Sequence, residues 1–237
     1  MDTFLTGKNA VVTGGTRGIG LAIAEALAMA GAGVAICARS PENIAAAVRQ
    51  LTNKSKSKVV AKVADVRDST EVTSFFEYVD RELGQLDIVV NNAGVGIFKS
   101  TAELSVEEWR KTLDTNLSGV FYCSREALRR IRTHGGYIIN ISSLAGKNAF
   151  AGGAAYNASK FGLNGLSEAM MLDHRNENVK VSYILPGSVA TEFGSGSGGE
   201  KWKIAPEDVA DIVLMLLKTP ARTLISRVEV RPSKPLK

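Results

Sequence analysis

Seven short runs rich in Val and Ile alternate with longer segments of helical period along this chain of 237 residues. The runs are mostly continuous instead of alternating between apolar and polar residues, which is typical of strands covered on both faces. Strands that alternate with helices fold into a parallel sheet, because each helix returns the chain to the same edge. The strands are predicted at Asn9–Thr13, Gly33–Ala38, 58–64, 86–91, 137–142, 180–185 and 223–231.

The segments between these runs carry helix signals of their own. Ser40 is a good N-cap and Pro41 suits the first helical position, and Pro206 begins a later helix in the same way. Helices are predicted over 18–31, 42–54, 69–84, 106–133, 155–176 and 206–217. The expected architecture is a single α/β domain over residues 1–237, a doubly wound Rossmann domain with a seven-stranded parallel sheet flanked by helices.

The long segment at 106–133 carries one apolar face. Apolar side chains recur along it at spacings of three, four and seven, which is the period of an amphipathic helix. We expect this face to pack inward. Its members are Trp109, Leu113, Leu117, Phe121, Leu128 and Ile131.

Composition excludes several other classes of protein. No apolar stretch approaches the roughly 20 residues of a membrane-spanning helix, and the N-terminus lacks a secretory signal, so we expect a cytoplasmic protein without membrane contact. The charge of +5 comes from scattered residues and does not indicate that the protein binds nucleic acid.

Cys37 and Cys123 are expected to be reduced core thiols. His134 and His174 are isolated, so no metal is expected.

A glycine-rich turn joins the first predicted strand to the first predicted helix. It runs TGGTRGIG over residues 13–20. Such a turn lets a pyrophosphate approach the backbone amides and the positive end of the helix dipole. A plain tight turn would explain one glycine but hardly three at this spacing. The turn is therefore predicted to hold a dinucleotide through Gly14, Thr16, Arg17, Gly18, Ile19 and Gly20.

The residue after the second predicted strand indicates which dinucleotide is bound. Folds that use NAD usually place Asp or Glu about 20 residues beyond the glycine turn, where it binds the ribose 2′-hydroxyl. Here that place holds Arg39, which can bind a 2′-phosphate through forked hydrogen bonds, and Arg17 can reach the same phosphate from the turn. The pair favours NADP(H) over NAD(H). A solvated surface arginine is the alternative for Arg39.

Tyr156 and Lys160 lie four residues apart in a predicted helix, which puts them on one face. Ser143 precedes the tyrosine by 13 residues and follows the fifth predicted strand. A tyrosine pKa of about 10 is too high for ready proton exchange at neutral pH, and a nearby ammonium lowers it by stabilising the phenolate. Tyr156 is thus a candidate general acid, and Ser143 a hydroxyl that orients a carbonyl oxygen. Taken alone, the Tyr-x-x-x-Lys pattern is common and mostly structural.

Six motifs occur in this order: Thr13-Gly14-x-x-x-Gly18-x-Gly20, Asn91-Asn92-Ala93-Gly94, Asn116, Ser143, Tyr156-x-x-x-Lys160 and Pro186-Gly187. Together they resemble the motifs of the short-chain dehydrogenase/reductase family, in the family's order and spacing over about residues 7–217. The resemblance is greatest to the 3-oxoacyl-[acyl-carrier-protein] reductases.

The resemblance implies a role for each matched residue. Tyr156 would be the acid/base, and Lys160 would lower its pKa and hold the nicotinamide ribose. Ser143 would bind the carbonyl oxygen, and Asn116 would hold a water of a proton relay, with a satisfied core amide as the alternative for Asn116. Besides Tyr156, Lys160, Arg39 and the glycine turn, the implied cofactor contacts are Asp65, Val66, Asn92, Ala93, Gly94, Pro186, Gly187, Val189 and Thr191. A strand-end cap is the alternative for Asp65 and Val66.

The implied activity is NADPH-dependent reduction of a ketone to a secondary alcohol. The first candidate substrate is a 3-oxoacyl thioester of fatty acid biosynthesis, carried on an acidic acyl-carrier protein. Arg129, Arg130 and Arg132 are candidates to receive that protein, or they equally serve the helix dipole and solvent. An alcohol, sugar or xenobiotic-carbonyl oxidoreductase is the alternative enzyme. A non-catalytic NADP-sensing protein is the rival from another class.

Residues 188–204 are expected to form a short glycine-rich loop over the substrate, with Phe193 and Trp202 as its apolar side chains. Docking of these two side chains into the core is the alternative. The resemblance also implies a homodimer or homotetramer, paired through the helices at 106–133 and 155–176. The last ten residues contain no glycine. The family's acyl reductases usually have a glycine turn after the last strand, and this chain lacks that turn. The resemblance therefore does not imply subunit packing through the tail.

Overall fold

The computed structural model describes residues 3–193 and 201–235. Seven parallel strands form one sheet in the order β3-β2-β1-β4-β5-β6-β7, so the predicted doubly wound sheet is confirmed. The order reverses between β1 and β4, and such a reversal opens a crevice at the carboxyl ends of the strands. The strands are β1 (Asn9–Thr13), β2 (Gly33–Ala38), β3 (Val59–Val63), β4 (Ile88–Asn91), β5 (Gly136–Ile141), β6 (Val179–Pro186) and β7 (Arg227–Val230).

Helices cover both faces of this sheet. They are α1 (Gly18–Met29), α2 (Pro41–Lys54), α3 (Ser69–Leu83), α4 (Val106–Leu113), α5 (Gly119–Ile131), α6 (Ala154–His174) and α7 (Pro206–Leu217). The predicted start of α2 is confirmed, since the Ser40 side chain accepts a hydrogen bond from the Asn43 amide and Pro41 follows it. No helix among the described residues is long and apolar enough to span a membrane.

The central strands bury side chains on both sides of the sheet. Val12 and Val90 point into a core covered by α1, α2 and α7. Val11 and Val89 point into a second core, covered by α3, α5 and α6. A strand with two covered faces needs an apolar residue at every position, which explains the continuous runs in the sequence. Cys37 and Cys123 are both buried and free in the second core, as predicted.

The segment predicted as one helix over 106–133 is interrupted. A π-helical turn at Asp114–Ser118 separates α4 from α5. The extra residue in this turn rotates the helix face, so the predicted inward orientation is wrong for Trp109 and Phe121, which are 39% and 44% exposed. Turns of this kind are frequent at functional sites, and Asn116 lies at the centre of this one.

Candidate active site

A cavity of about 1180 Å³ opens at the carboxyl ends of the strands. Its wall is built from the glycine turn and from the segments that follow β2 to β7, so residues far apart in sequence meet here because parallel strands all end at the same edge. Every candidate site residue from the sequence lines this cavity except Asn116, which is fully buried behind it.

The glycine turn is held against the end of β4. The Asn92 side chain donates to the carbonyl oxygens of Thr13 and Gly14 at 3.1 and 3.2 Å. A Cβ at Gly20 would lie 2.3 Å from the Asn92 amide nitrogen, and Gly18 has a φ of +52°. The close approach at Gly20 leaves no room for a Cβ atom, and the positive φ at Gly18 is a backbone conformation that glycine adopts without steric cost. The result is a tight, backbone-lined cradle in front of the N-terminus of α1.

Arginine side chains flank the cradle. Arg39 lines the cavity and has no ion-pair partner among the residues that the structure describes. The Arg17 guanidinium lies 3.8 Å from the Glu192 carboxylate, and both side chains are exposed. Asp65 lines the cavity after β3, and its contact with adenine stays a prediction. Its carboxylate accepts hydrogen bonds from Arg67 Nε at 3.0 and 2.9 Å, which, with a smaller contribution from Arg39, keep the pKa of Asp65 below its usual value.

At the other end of the cavity, Ser143, Tyr156 and Lys160 come together. Ser143 follows β5, and its hydroxyl accepts a hydrogen bond from the Ala145 amide at 3.1 Å. The Lys160 ammonium donates to the carbonyl oxygen of Ile141 at 2.8 Å and lies 5.8 Å from the centroid of the Tyr156 ring. The last residue of β5 thus orients the lysine, and the geometry brings one hydroxyl, one phenol and one ammonium to a shared space.

Burial shifts the pKa values of both Tyr156 and Lys160. It raises the pKa of Tyr156 above its usual 10, and a hydrogen bond to Ser143 offsets only part of that rise. Burial also lowers the pKa of Lys160 from 10.5 to about 8. We expected Lys160 to lower the pKa of Tyr156. In the structure the ammonium is directed to the Ile141 carbonyl and burial dominates at the phenol, so the effect of Lys160 on the pKa of Tyr156 stays a prediction.

The lowered pKa of Lys160 leads to a prediction about stability. Between pH 8 and 10.5 the unfolded chain binds a proton that folded Lys160 has lost, so the free energy of unfolding should rise with pH in that interval. The shift of Lys160 corresponds to about 3 kcal/mol. Urea unfolding at pH 7 and pH 10 should show a rise of about 2 to 3 kcal/mol in the wild type relative to Lys160→Met. Equal pH dependence in the two proteins would contradict the assignment.

Asn116 braces the wall of the cavity from behind. Its side-chain oxygen accepts from the Val95 amide at 2.8 Å, and its side-chain nitrogen donates to the Val95 carbonyl at 2.9 Å and to the Ser159 hydroxyl at 3.1 Å. All the hydrogen-bonding groups of this amide therefore have protein partners. The side chain ties the segment after β4 to α6, next to Lys160. This corresponds to the satisfied-amide alternative, and a role in proton relay stays a prediction.

The loop expected at 188–204 is closed at its base. Val189 and Ile204 form an isolated parallel bridge, with the Ala190 amide donating to the Ile204 carbonyl at 2.8 Å. Phe193 lies over the Tyr156 ring, with the two centroids 5.7 Å apart, and Trp202 also lines the cavity. The glycine-rich stretch at 194–199 lies outside the described residues.

Sequence reasoning missed two aromatic rings of the cavity wall, Phe98 beside Tyr156 and Phe150 beside Phe98. The centroid of Phe98 is 5.5 Å from that of Tyr156, and the centroid of Phe150 is 5.8 Å from that of Phe98. Both rings come from irregular segments without hydrophobic periodicity. The one available signal was an aromatic residue close to glycine in a segment that follows a predicted strand, at Gly96 and at Gly153. The tail after β7 was also missed, and its Arg231 and Pro232 line the cavity.

Two of the three arginines considered for an acidic protein partner are engaged within the chain. Arg129 lies 2.6 Å from the Glu126 carboxylate. Arg130 pairs with both Asp80 and Glu126 at 2.8 Å. These ion pairs connect α5 to α3 and leave less uncompensated charge for a partner. Docking of an acyl-carrier protein at this place stays a prediction.

Comparison with known proteins identifies relatives over most of the chain. A 3-oxoacyl-[acyl-carrier-protein] reductase FabG from Chlamydia muridarum (strain MoPn / Nigg) is 36% identical over 197 residues, which are 83% of this chain and 79% of that protein. An alcohol dehydrogenase from the archaeon Thermococcus sibiricus, complexed with 5-hydroxy-NADP, is 31% identical with a TM-score of 0.91, covering 97% of this chain and 99% of that one. A metagenomic short-chain oxidoreductase in complex with NADP is 38% identical with a TM-score of 0.85, covering 98% and 99%.

The family model described as short chain dehydrogenase matches residues 8–201, which is most of the chain and includes both the glycine cradle and the Ser143, Tyr156 and Lys160 group. On this evidence the chain belongs to the short-chain dehydrogenase family and is an oxidoreductase of that family.

Proposed function

We propose that this protein catalyses the NADPH-dependent reduction of a ketone to a secondary alcohol. One observation carries the proposal: Ser143, Tyr156 and Lys160 meet at one end of a cavity whose other end is a glycine cradle flanked by arginines. A hydroxyl, a phenol and an ammonium within one partly dry space are the groups needed to bind a carbonyl oxygen and give it a proton.

The cradle fits a dinucleotide phosphate. A Cβ at Gly14 or Gly20 would meet neighbouring backbone within 3 Å, so backbone amides are left open to an approaching anion. Arg17 and Arg39 would hold an additional phosphate on the ribose, which favours NADP(H), and the solved relatives that contain NADP or 5-hydroxy-NADP support the same choice. When bound, the reduced nicotinamide supplies the hydride for the carbonyl carbon.

The chain's own residues would manage the proton. Ser143 would donate a hydrogen bond to the carbonyl oxygen, and Tyr156 would transfer its phenolic proton to that oxygen. The raised pKa of Tyr156 keeps the phenol protonated before the reaction. Lys160, whose pKa is about 8, carries its positive charge at neutral pH and would stabilise the tyrosinate left behind.

The test is oxidation of NADPH, followed by absorbance, over a panel of aliphatic, aromatic and sugar ketones and acetoacetyl thioesters. Turnover of at least one substrate is expected, and the alcohol should be identified as the product. Binding of NADPH without turnover of any substrate would favour the NADP-sensing protein instead and would overturn the proposal.

Two substrate classes remain candidates. The 36% identical FabG supports a 3-oxoacyl thioester, and with it a place in fatty acid biosynthesis. The rings of Phe98, Phe150 and Phe193 beside Tyr156 instead favour a bulky carbonyl compound of the xenobiotic class. The panel distinguishes them, because a thioester reductase should turn over acetoacetyl thioesters far faster than compact ketones.

Arg39→Asp should reverse the preference between cofactors. A hydrogen bond to a charged group contributes about 1.5 to 3 kcal/mol, so the ratio of kcat/KM with NADPH to that with NADH should fall by about 100-fold. Arg222→Asp makes the same change of charge at an exposed turn after α7 and should leave the ratio unchanged. A wild-type preference for NADH would contradict the assignment of Arg39.

Assembly and location stay predictions. We propose a homodimer or homotetramer, supported by the exposed apolar side chains of Phe121 on α5 and of Phe161 and Leu172 on α6. A second copy of the chain would cover these side chains, and light scattering would measure the resulting mass. The single domain over residues 1–237 and the cytoplasmic location are likewise proposals.

A further inference from the structure

We propose that the substrate is a ketone whose carbonyl carbon carries an aromatic ring. This inference rests on the proposed function and names the substrate class of the same site. It comes from three phenylalanines, which we call the aromatic collar: Phe98, Phe150 and Phe193. All three line the cavity beside Tyr156.

The collar lies beside the group that would protonate the carbonyl oxygen. Phe98 meets the Tyr156 ring edge to face, with a centroid distance of 5.5 Å and an interplanar angle of 82°. Phe193 also contacts the Tyr156 ring, with a centroid distance of 5.7 Å and an interplanar angle of 53°. Phe150 extends the wall from Phe98 at 5.8 Å and 59°. A carbonyl oxygen within reach of the Tyr156 hydroxyl would therefore place its substituent against phenyl rings.

Two glycines leave room for all three rings in this position. A Cβ at Gly96 would lie 2.6 Å from Phe193 and 2.8 Å from Phe98, and a Cβ at Gly153 would lie 2.8 Å from Phe150. These two glycines give the rings their space against the backbone. An isolated parallel bridge between Lys99 and Gly153 joins the segment that carries Phe98 to the segment that carries Phe150. Close packing against Gly96 and Gly153, together with the bridge between Lys99 and Gly153, thus brings the three rings together.

The rings keep free apolar surface that faces the cavity. Phe98, Phe150 and Phe193 are 44%, 45% and 42% exposed. Aromatic rings favour edge-to-face and offset contacts with other rings beyond the gain from burial. An aryl ketone has one polar atom, which Ser143 and Tyr156 would bind, and its ring would cover the exposed faces. The extended arm of a carrier-protein thioester would instead bring amide groups against phenyl rings, which offer them no hydrogen bonds.

The experiment compares three methyl ketones that differ in one substituent, with NADPH as the reductant. The substituents are phenyl, cyclohexyl and methyl, so that aromatic character is separated from size. We expect kcat/KM to be about tenfold higher for the phenyl than for the cyclohexyl ketone, and about 100-fold higher for the phenyl than for the methyl ketone. Phe98→Leu and Phe150→Leu should each reduce the phenyl to cyclohexyl ratio severalfold.

Phe4→Leu is the matched control, because Phe4 packs beneath Lys218 just after α7, at a place that does not line the cavity. It should leave the ratio unchanged. A second readout needs no turnover: in calorimetry with NADPH present, benzamide should bind more tightly than cyclohexanecarboxamide, and Phe98→Leu should remove the difference.

The outcomes separate the two proposals. Equal kcat/KM for phenyl and cyclohexyl ketones, or a preference for acetoacetyl thioesters that Phe98→Leu leaves unchanged, would overturn the aromatic substrate while the ketone reductase stands. If no ketone is reduced, the proposed function fails. The binding measurements then test whether the collar selects an aromatic ring: tighter binding of benzamide than of cyclohexanecarboxamide supports that selection, and equal binding of the two amides overturns it.

Discussion

Tyr156→Phe is expected to lower kcat for ketone reduction by about 1000-fold, because general acid catalysis by a positioned side chain contributes about 10² to 10⁴. The change removes one oxygen and its proton and keeps the ring. The contacts of the ring with Phe98 and Phe193 therefore remain, and we expect the free energy of unfolding to change little. Single-turnover kinetics would show whether the loss falls on the chemical step.

Tyr122→Phe is the matched control for this prediction. Tyr122 lies on α5, its ring contacts Phe121, and it is absent from the wall of the cavity. Loss of its hydroxyl should leave kcat within about twofold of the wild type, which is the scale of a change away from the reacting atoms. If Tyr156→Phe kept the wild-type rate, the phenol would not be the acid, and a water or Ser143 would have to supply the proton.

Gly20→Ala should damage both folding and cofactor binding. The added methyl group would lie 2.3 Å from the Asn92 amide nitrogen and 2.3 Å from the Gly14 carbonyl oxygen. Neither atom can move freely, since Asn92 donates to the carbonyls of Thr13 and Gly14. We expect the free energy of unfolding to fall by about 3 kcal/mol or more, as for an overpacked core. The Kd for NADPH should rise by more than tenfold, because the cradle must shift.

Gly165→Ala provides the contrast on α6. A Cβ at Gly165 meets no atom within 4 Å, and alanine is favoured over glycine inside a helix by about 1 kcal/mol. Urea unfolding should therefore show unchanged or higher stability for this variant, and NADPH titration should show no change in Kd. A Gly20→Ala protein as stable as the wild type would mean that the turn relaxes easily and is not the rigid cradle described above.

The sequence predicted the order of elements well, and with it the sheet. β1 and β2 were predicted with their observed bounds, because a strand buried on both faces stands out as an apolar run between turn residues. The run at 223–231 was predicted too long. Only Arg227–Val230 pairs with β6, at the edge of the sheet where one side has no neighbouring strand. The π turn at Asp114–Ser118 was not predicted, because the apolar spacing continues through it.

The sequence predicted those residues of the candidate site that lie at the carboxyl ends of strands. Gly14, Arg39, Asn92, Ser143 and Pro186 come from five different strand ends, and the parallel topology alone brings them to one cavity. The aromatic collar was not predictable from the same reasoning. Its rings lie in irregular segments, and their convergence depends on contacts such as the bridge between Lys99 and Gly153, which join residues 54 positions apart.

The sequence by itself determined that strands and helices alternate, that Tyr156 and Lys160 share one helix face, and that a glycine turn precedes the first helix. These features depend on local periodicity and on residue type, which act over a few neighbouring positions. Only the tertiary structure decided the chemistry around Tyr156. It directs the Lys160 ammonium to the Ile141 carbonyl, raises the pKa of the phenol by burial and places two phenylalanine rings against the Tyr156 ring. Desolvation and ring contacts depend on which distant segments pack together, and the sequence pattern does not contain that information.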